Sequence, residues 1–216
     1  MANLKFTKNN ISEETKENTE EQDQFVPDLM SMLADDARMV GLYGEVNEEN
    51  CRTLISHLYS INIMDKKKLN TADEEEVIID PIEMLVSTEG GAVTEMFSTI
   101  DVMRSIMKTC EIHTIGLGKV MSAGILLLAN GTQGKRKVGK NTRLMLHSIS
   151  GGDFGSIKQL ENNIKEVKWY QDNYIAALSE CSNMSSRQLK AIFRKKSDTY
   201  FDAEQALKWG IADEII

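Results

Sequence analysis

A chain of 216 residues, 41% of them hydrophobic, is long enough to bury one sizeable core. Its 33 Asp and Glu against 25 Lys and Arg leave a formal net charge of −8, which argues against nucleic-acid binding as the main activity. No apolar run reaches the length of a membrane span, and the opening MANLKFTKNN carries no apolar signal core, so a cytoplasmic protein without a membrane partner is expected. The three cysteines, Cys51, Cys110 and Cys181, are widely separated and odd in number. They suggest neither a disulfide framework nor a CxxC metal site and read as buried free thiols.

Taken in chain order, residues 9–23, NNISEETKENTEEQD, are acidic and hold Ile11 as their one large apolar residue, so residues 1–24 read as a flexible acidic tail. Residues 25–216 then form one domain. A short helix is expected over 25–37, a strand over 39–42, and a helix over 48–60 with Leu54, Ile55, Leu58 and Ile61 on one face. Residues 64–80, MDKKKLNTADEEEVIID, place a KKK run before a DEEE run and read as a polar loop or hairpin insert. A strand at 83–87 leads to Gly90-Gly91, after which Val93, Met96, Phe97, Ile100, Met103 and Met107 recur at helical spacing. The glycine pair alone is a weak phosphate-binding signal, since it lacks the fuller glycine-rich patterns.

Residues 111–117 form a short apolar run bounded by Gly116 and Gly118, which reads as a buried strand, and 125–129 reads as a helix. In residues 143–147, RLMLH, the alternation puts Leu144 and Leu146 on one face of a strand and Met145 and His147 on the other. From 155 to 180 the residues Ile157, Leu160, Ile164, Val167, Tyr170, Tyr174 and Leu178 step by three or four along one long helix. Ser185 to Gln188 has capping-box spacing before Leu189, Ile192 and Phe193; Asp202 to Gln205 repeats that spacing, and Gly210 can stop the last helix. Strands alternating with helices imply a largely parallel sheet with crossover helices.

Chemistry concentrates at TIGLGKVMSAGILLLANG, where Ser122 stands between an apolar strand and an apolar helix. Free N–H groups in a first helical turn, with the positive end of its dipole, stabilise an oxyanion formed beside such a serine. A serine before an apolar helix also serves as an ordinary N-cap. A nucleophilic hydroxyl needs a base, and the base an orienting carboxylate. Of three histidines, His147 ends a strand before the glycine-rich SISGGDFG, whereas His57 sits in a helical pattern and His113 lies inside the strand before Ser122, facing away from its pocket. Among 33 acidic residues, Asp198 in SDTYF is the best-placed orienting group, lying between two helix signals.

GKVMSAGILLLANGTQGKR followed by NTRLMLHSISGGDFG resembles the catalytic core of the proteolytic subunit of the ATP-dependent Clp protease. The family's serine before a small helix, its GKR turn and its strand-borne histidine match Ser122, Gly134-Lys135-Arg136 and His147. SDTYFDAEQALKWGIADEI matches the segment carrying the third member and assigns that role to Asp198. IEMLVSTEGGAVTEMFSTIDVM resembles the family's SPGG strand and loop, which implies oxyanion-hole N–H groups on Gly91 and Ala123. The resemblance runs from about residue 25 to 216. It departs where the family's SPGG proline is Glu89, where SMG is Ser122-Ala123-Gly124, where HQP is His147-Ser148-Ile149, and where the turn after GKR is KVGKN.

The resemblance implies a ClpP/crotonase-like α/β fold, mostly parallel in repeated βαβ units, with the 155–180 helix as a protruding handle. It implies a serine endopeptidase that hydrolyses unfolded polypeptides in a closed homo-oligomeric chamber of two stacked heptameric rings, with an AAA+ unfoldase feeding large substrates and no cofactor or metal. Substrate strands would pair along Gly90 and along Ser148, Gly151 and Gly152. The family's N-terminal segment lines the chamber entrance, so the acidic tail would tune entry or be removed. Three alternatives stay open at this point: a protease of the same fold that processes viral capsid or scaffold proteins, a crotonase-like acyl-CoA hydratase, and a non-catalytic ring subunit.

Overall fold

The computed structural model describes residues 38–71, 78–152 and 154–216. The acidic tail over 1–24, the helix expected at 25–37 and the DEEE part of the insert lie outside the described residues. Seven strands form one sheet in the order β1-β2-β3-β4-β7: β1 (Met39–Val46), β2 (Ile82–Gly91), β3 (Ile112–Met121), β4 (Lys137–Val138) and β7 (Glu214–Ile215). Two further strands, β5 (Arg143–Leu146) and β6 (Thr199–Phe201), leave that path, with β5 paired to β3 and β6 to β5. Every pairing is parallel except β5 with β6. Parallel neighbours need crossover helices. They are α1 (Glu48–Thr71), α2 (Val93–Ile106) and α3 (Ala123–Ala129), followed by α4 (Ile157–Glu180), α5 (Ser186–Phe193) and α6 (Ala203–Lys208).

Several elements outrun their sequence signals: β1 continues past residue 42 to Val46 and β2 past residue 87 to Gly91. Helix α1 continues to Thr71, so residues 64–71 are helical rather than a polar loop. No Gly or Pro interrupts 48–71, and a run of Lys has good helix propensity. Asp65, just ahead of that run, is buried, where its carboxylate takes two hydrogen bonds from the Arg38 guanidinium at 2.7 and 2.9 Å. Strand β3 runs on through Gly116 and Gly118 to Met121. Gly118, at φ 66°, bends it, and on one side β3 pairs first with β4 at Ile115 and Gly116 and then with β5 from Lys119 to Met121. A glycine that looks like a strand terminator is thus the bend that lets one strand serve two neighbours.

All seven residues of α3 are buried, as a helix apolar on every face must be. Cys51 and Cys110 are buried free thiols, and Cys181 is half-buried. On α4, capped by a Ser156–Gln159 capping box, the apolar stripe divides: Tyr174, Ile175, Ala177 and Leu178 enter the core. Ile157 and Ile164 are 79% and 54% exposed. The Ser185–Gln188 capping box and the Asp202 N-cap both form, and Gly210 follows α6 at φ 65°. Among the described residues no helix is long and apolar enough to cross a membrane.

Arg136, 3% exposed at its side chain, ties the far ends of several elements together. Its guanidinium donates to Asp213 at 2.8 and 2.6 Å, to the Ala129 carbonyl closing α3 at 3.0 Å, and to the Cys181 carbonyl closing α4. Burial alone would raise the Asp213 carboxyl, and the Arg136 guanidinium and backbone N–H outweigh it, holding the group below its usual range. Asp213→Asn leaves a buried guanidinium without its counter-charge and is expected to cost about 3 kcal/mol in a denaturant titration. A depressed folded-state pKa stabilises above the unfolded value of about 4 and is lost as pH falls through the folded value. The difference between the two proteins should therefore shrink on acidification below about pH 4.

Candidate active site

Three strand ends converge at the C-terminal edge of the sheet, where open α/β sheets place their ligands. Parallel pairing sets Val120 and Met121 of β3 beside Leu144 and Met145 of β5. The Ser122 N–H donates to the Met145 carbonyl at 2.9 Å, so the serine leaves β3 beside the C-terminal end of β5. The antiparallel register of β5 and β6 pairs Leu144 with Phe201, Met145 with Tyr200 and Leu146 with Thr199. One further step along that ladder brings His147 opposite Asp198.

Ser122 has φ 53° and ψ −117°, and it alone among the described non-glycine residues has a positive φ. Its side chain makes no capping bond to α3, so it does not act as an ordinary N-cap. Ser122 Oγ lies instead 2.8 Å from His147 Nε2, a hydrogen-bond distance. On the other side of the imidazole, Asp198 Oδ1 stands 3.6 Å from Nδ1, an ion-pair separation longer than a direct hydrogen bond. His147 and Asp198 keep 32% and 45% of their side-chain surface open.

Ser122 and His147 border a cavity of about 280 Å³ whose walls also include Ala123, Gly91 and Glu89, while Asp198 stands behind the imidazole and outside that wall. Its apolar part comes from Val93 and Met96 of α2, Ile149, and Tyr174 of α4. Gly91 and Ala123, the two expected oxyanion donors, thus face the same space as the hydroxyl. Gly90 is needed for close approach: it sits at φ 101°, and a Cβ there would fall 2.6 Å from the Ser122 Cβ. Its N–H donates to Thr88 Oγ1 at 2.9 Å.

From the segment after His147, the residues walling the cavity are Ile149 and Ser150. Ser148 is half-buried beside them. Gly151 and Gly152 wall a separate groove of about 740 Å³ along α4, with Leu160, Ile164 and Val167. Gly151 and Gly152 thus border a different space from Ser122 and His147. His57 is exposed on α1, and His113 meets Glu111 at 2.7 Å near the opposite end of β3.

Glu89 brings a carboxylate to the cavity rim, where Lys119 of β3 meets it at 2.7 Å. That hydrogen bond holds the carboxyl below its ordinary range. The substituted proline is visible in the sequence, but the compensating cation is not, because it lies 30 residues away and is matched to Glu89 only by the β2–β3 pairing. Met96 and Tyr174 are legible as helical stripe residues, with no local signal that the stripes end at a cavity.

The sequence profile described as Clp protease matches residues 20–216. The ATP-dependent Clp protease proteolytic subunit 2 of Chlamydia pneumoniae is 28% identical over 189 residues, covering 88% of this chain and 85% of that protein. The corresponding subunit 2 of Chlamydia trachomatis serovar D and subunit 1 of Chlamydia felis show the same identity and coverage. With a mostly parallel α/β sheet, a serine on a strained strand-to-helix turn, and a family profile spanning nearly all of its length, the chain belongs to the Clp protease family.

Proposed function

We propose that this chain is a serine endopeptidase whose nucleophile is Ser122, with His147 as general base and acid and Asp198 as the group that orients the imidazole. The observation that carries the reading is the 2.8 Å contact between Ser122 Oγ and His147 Nε2 at the mouth of a cavity shared with Gly91 and Ala123. In the productive tautomer the serine O–H donates to Nε2, and attack on a peptide carbonyl moves that proton to the imidazole. The proton then passes to the leaving amine, and water repeats the cycle on the acyl-enzyme. Gly91 and Ala123 N–H groups bind the tetrahedral oxyanion, each worth about 3 kcal/mol by analogy with measured donors. Asp198 must approach Nδ1 more closely than 3.6 Å to hold the tautomer, a tightening of the kind that accompanies substrate binding or assembly.

An extended peptide lies between the ends of β2 and the segment after His147, with one side chain in the cavity against Met96 and Tyr174. No cofactor is required, because hydroxyl, imidazole and N–H groups suffice for acyl transfer. The names of the chlamydial relatives support an ATP-dependent setting, in which an AAA+ unfoldase delivers large substrates to a homo-oligomeric chamber. The exposed apolar half of α4 supports pairing of rings through that helix. A viral capsid-processing role and a non-catalytic ring role have no specific observation in their favour. A hydratase reading leaves the Ser122–His147 pair without a task.

Ser122→Ala is expected to lower peptide hydrolysis by about 10⁶-fold and to abolish stoichiometric fluorophosphonate labelling, read by intact-protein mass. Full turnover in that variant, or labelling elsewhere in the chain, would refute the assignment. Asp198→Asn is expected to keep the fold and lower kcat by roughly 10²- to 10⁴-fold with little change in KM, measured on a short fluorogenic peptide. The assembled protein without an ATPase should cleave such peptides and leave a stably folded protein intact.

A further inference from the structure

Behind the nucleophile stands a group that the proton relay does not use. Tyr174, on the buried end of α4, donates its hydroxyl to the Ser122 carbonyl at 2.8 Å. The residue is 4% exposed, walls the cavity beside Ser122, and packs its ring against Phe193 at 5.4 Å. Burial pushes the phenol far above its ordinary range, so it remains a donor at any working pH. The same carbonyl accepts the Ile125 N–H at 3.1 Å, and the Ser122 N–H is taken by Met145. Both peptide groups flanking the Ser122 Cα are thereby fixed.

The turn needs this fixing. A side-chain-bearing residue at φ 53° and ψ −117° persists only where its surroundings over-determine it. Relaxing either peptide rotates the Cα–Cβ bond and swings Oγ away from His147 Nε2. The Tyr174 bond spans 52 positions of sequence and lands on the strained residue itself. A buried phenol O–H needs an acceptor wherever it lies, and here the acceptor is the carbonyl of the strained residue.

We propose that Tyr174 is a positioning residue, whose hydroxyl locks the Ser122 peptide in the strained conformation that aims Oγ at His147. This rests on Ser122 being the nucleophile. The bond also couples the register of α4, whose other half is open to solvent, to the geometry of the hydroxyl.

Tyr174→Phe removes the donor and keeps the ring that walls the cavity. Fluorophosphonate inactivation and peptide turnover of the assembled protein are measured together, giving kinact with KI and kcat with KM. The expected result is a fall of about tenfold in kinact and kcat, with KI and KM within twofold of the unsubstituted protein. Leu58→Val, a core truncation on α1 remote from the site, serves as a stability control: it lowers Tm and leaves kinact unchanged. Tyr174→Leu, which also lacks the donor, is a second variant in which kinact must fall. Unchanged kinact in folded Tyr174→Phe, an effect confined to KM and KI, or an equal fall in Leu58→Val at matched loss of Tm would each overturn the role. Absence of labelling at Ser122 in the unsubstituted protein overturns the nucleophile assignment as well, whereas equal labelling of Tyr174→Phe overturns the positioning role alone.

Discussion

One backbone conformation governs the site: a serine held at positive φ where β3 gives way to α3. Such a conformation is costly for any residue with a Cβ, and neighbouring elements must enforce it. The end of β2 comes close enough only because Gly90 has no side chain to strike the Ser122 Cβ. On the other flank β5 takes the Ser122 N–H, and α3, buried along its whole length, anchors the chain on the C-terminal side of the turn. Much of the core can be understood as the support that keeps one hydroxyl aimed at one imidazole.

The second constraint is register. An antiparallel pair of short strands places His147 across from Asp198, while a parallel pair on the other side of β5 delivers Ser122. These pairings join residues far apart in sequence, and a slip of one position would send a side chain to the other face. Arg136 stiffens the frame from behind by closing the ends of α3 and α4 onto Asp213. The GKR turn therefore contributes a buried structural cation at the far ends of the elements that carry the site.

The range over which each signal acts decides how much of this is legible in the sequence. Alternation in RLMLH and the serine between two apolar runs are local, and both correspond to what the fold builds at those positions. Capping boxes at Ser156 and Ser185 are likewise local devices and form with both reciprocal bonds. The Lys run misleads, because Lys is a good helix former and the neighbouring Asp65 is paired with Arg38, which lies just ahead of β1 and 27 positions away. The same long-range pairing hides Lys119 from a reading of Glu89, and it hides the contact of Tyr174 with Ser122. Glycine misleads as well: Gly118 bends β3 where its sequence suggests a strand end. Gly151 and Gly152 wall the groove along α4 and not the cavity beside Ser122.

The most direct test of the Ser122 geometry is a crystal structure of the protein reacted with a peptidyl boronic acid. The expected result is a tetrahedral boronate on Ser122 Oγ, one boronate oxygen within hydrogen-bond distance of the Gly91 and Ala123 N–H groups, and Asp198 in direct contact with His147 Nδ1. An adduct on any other residue, or a boronate on Ser122 whose oxygens all face away from Gly91 and Ala123, would contradict it.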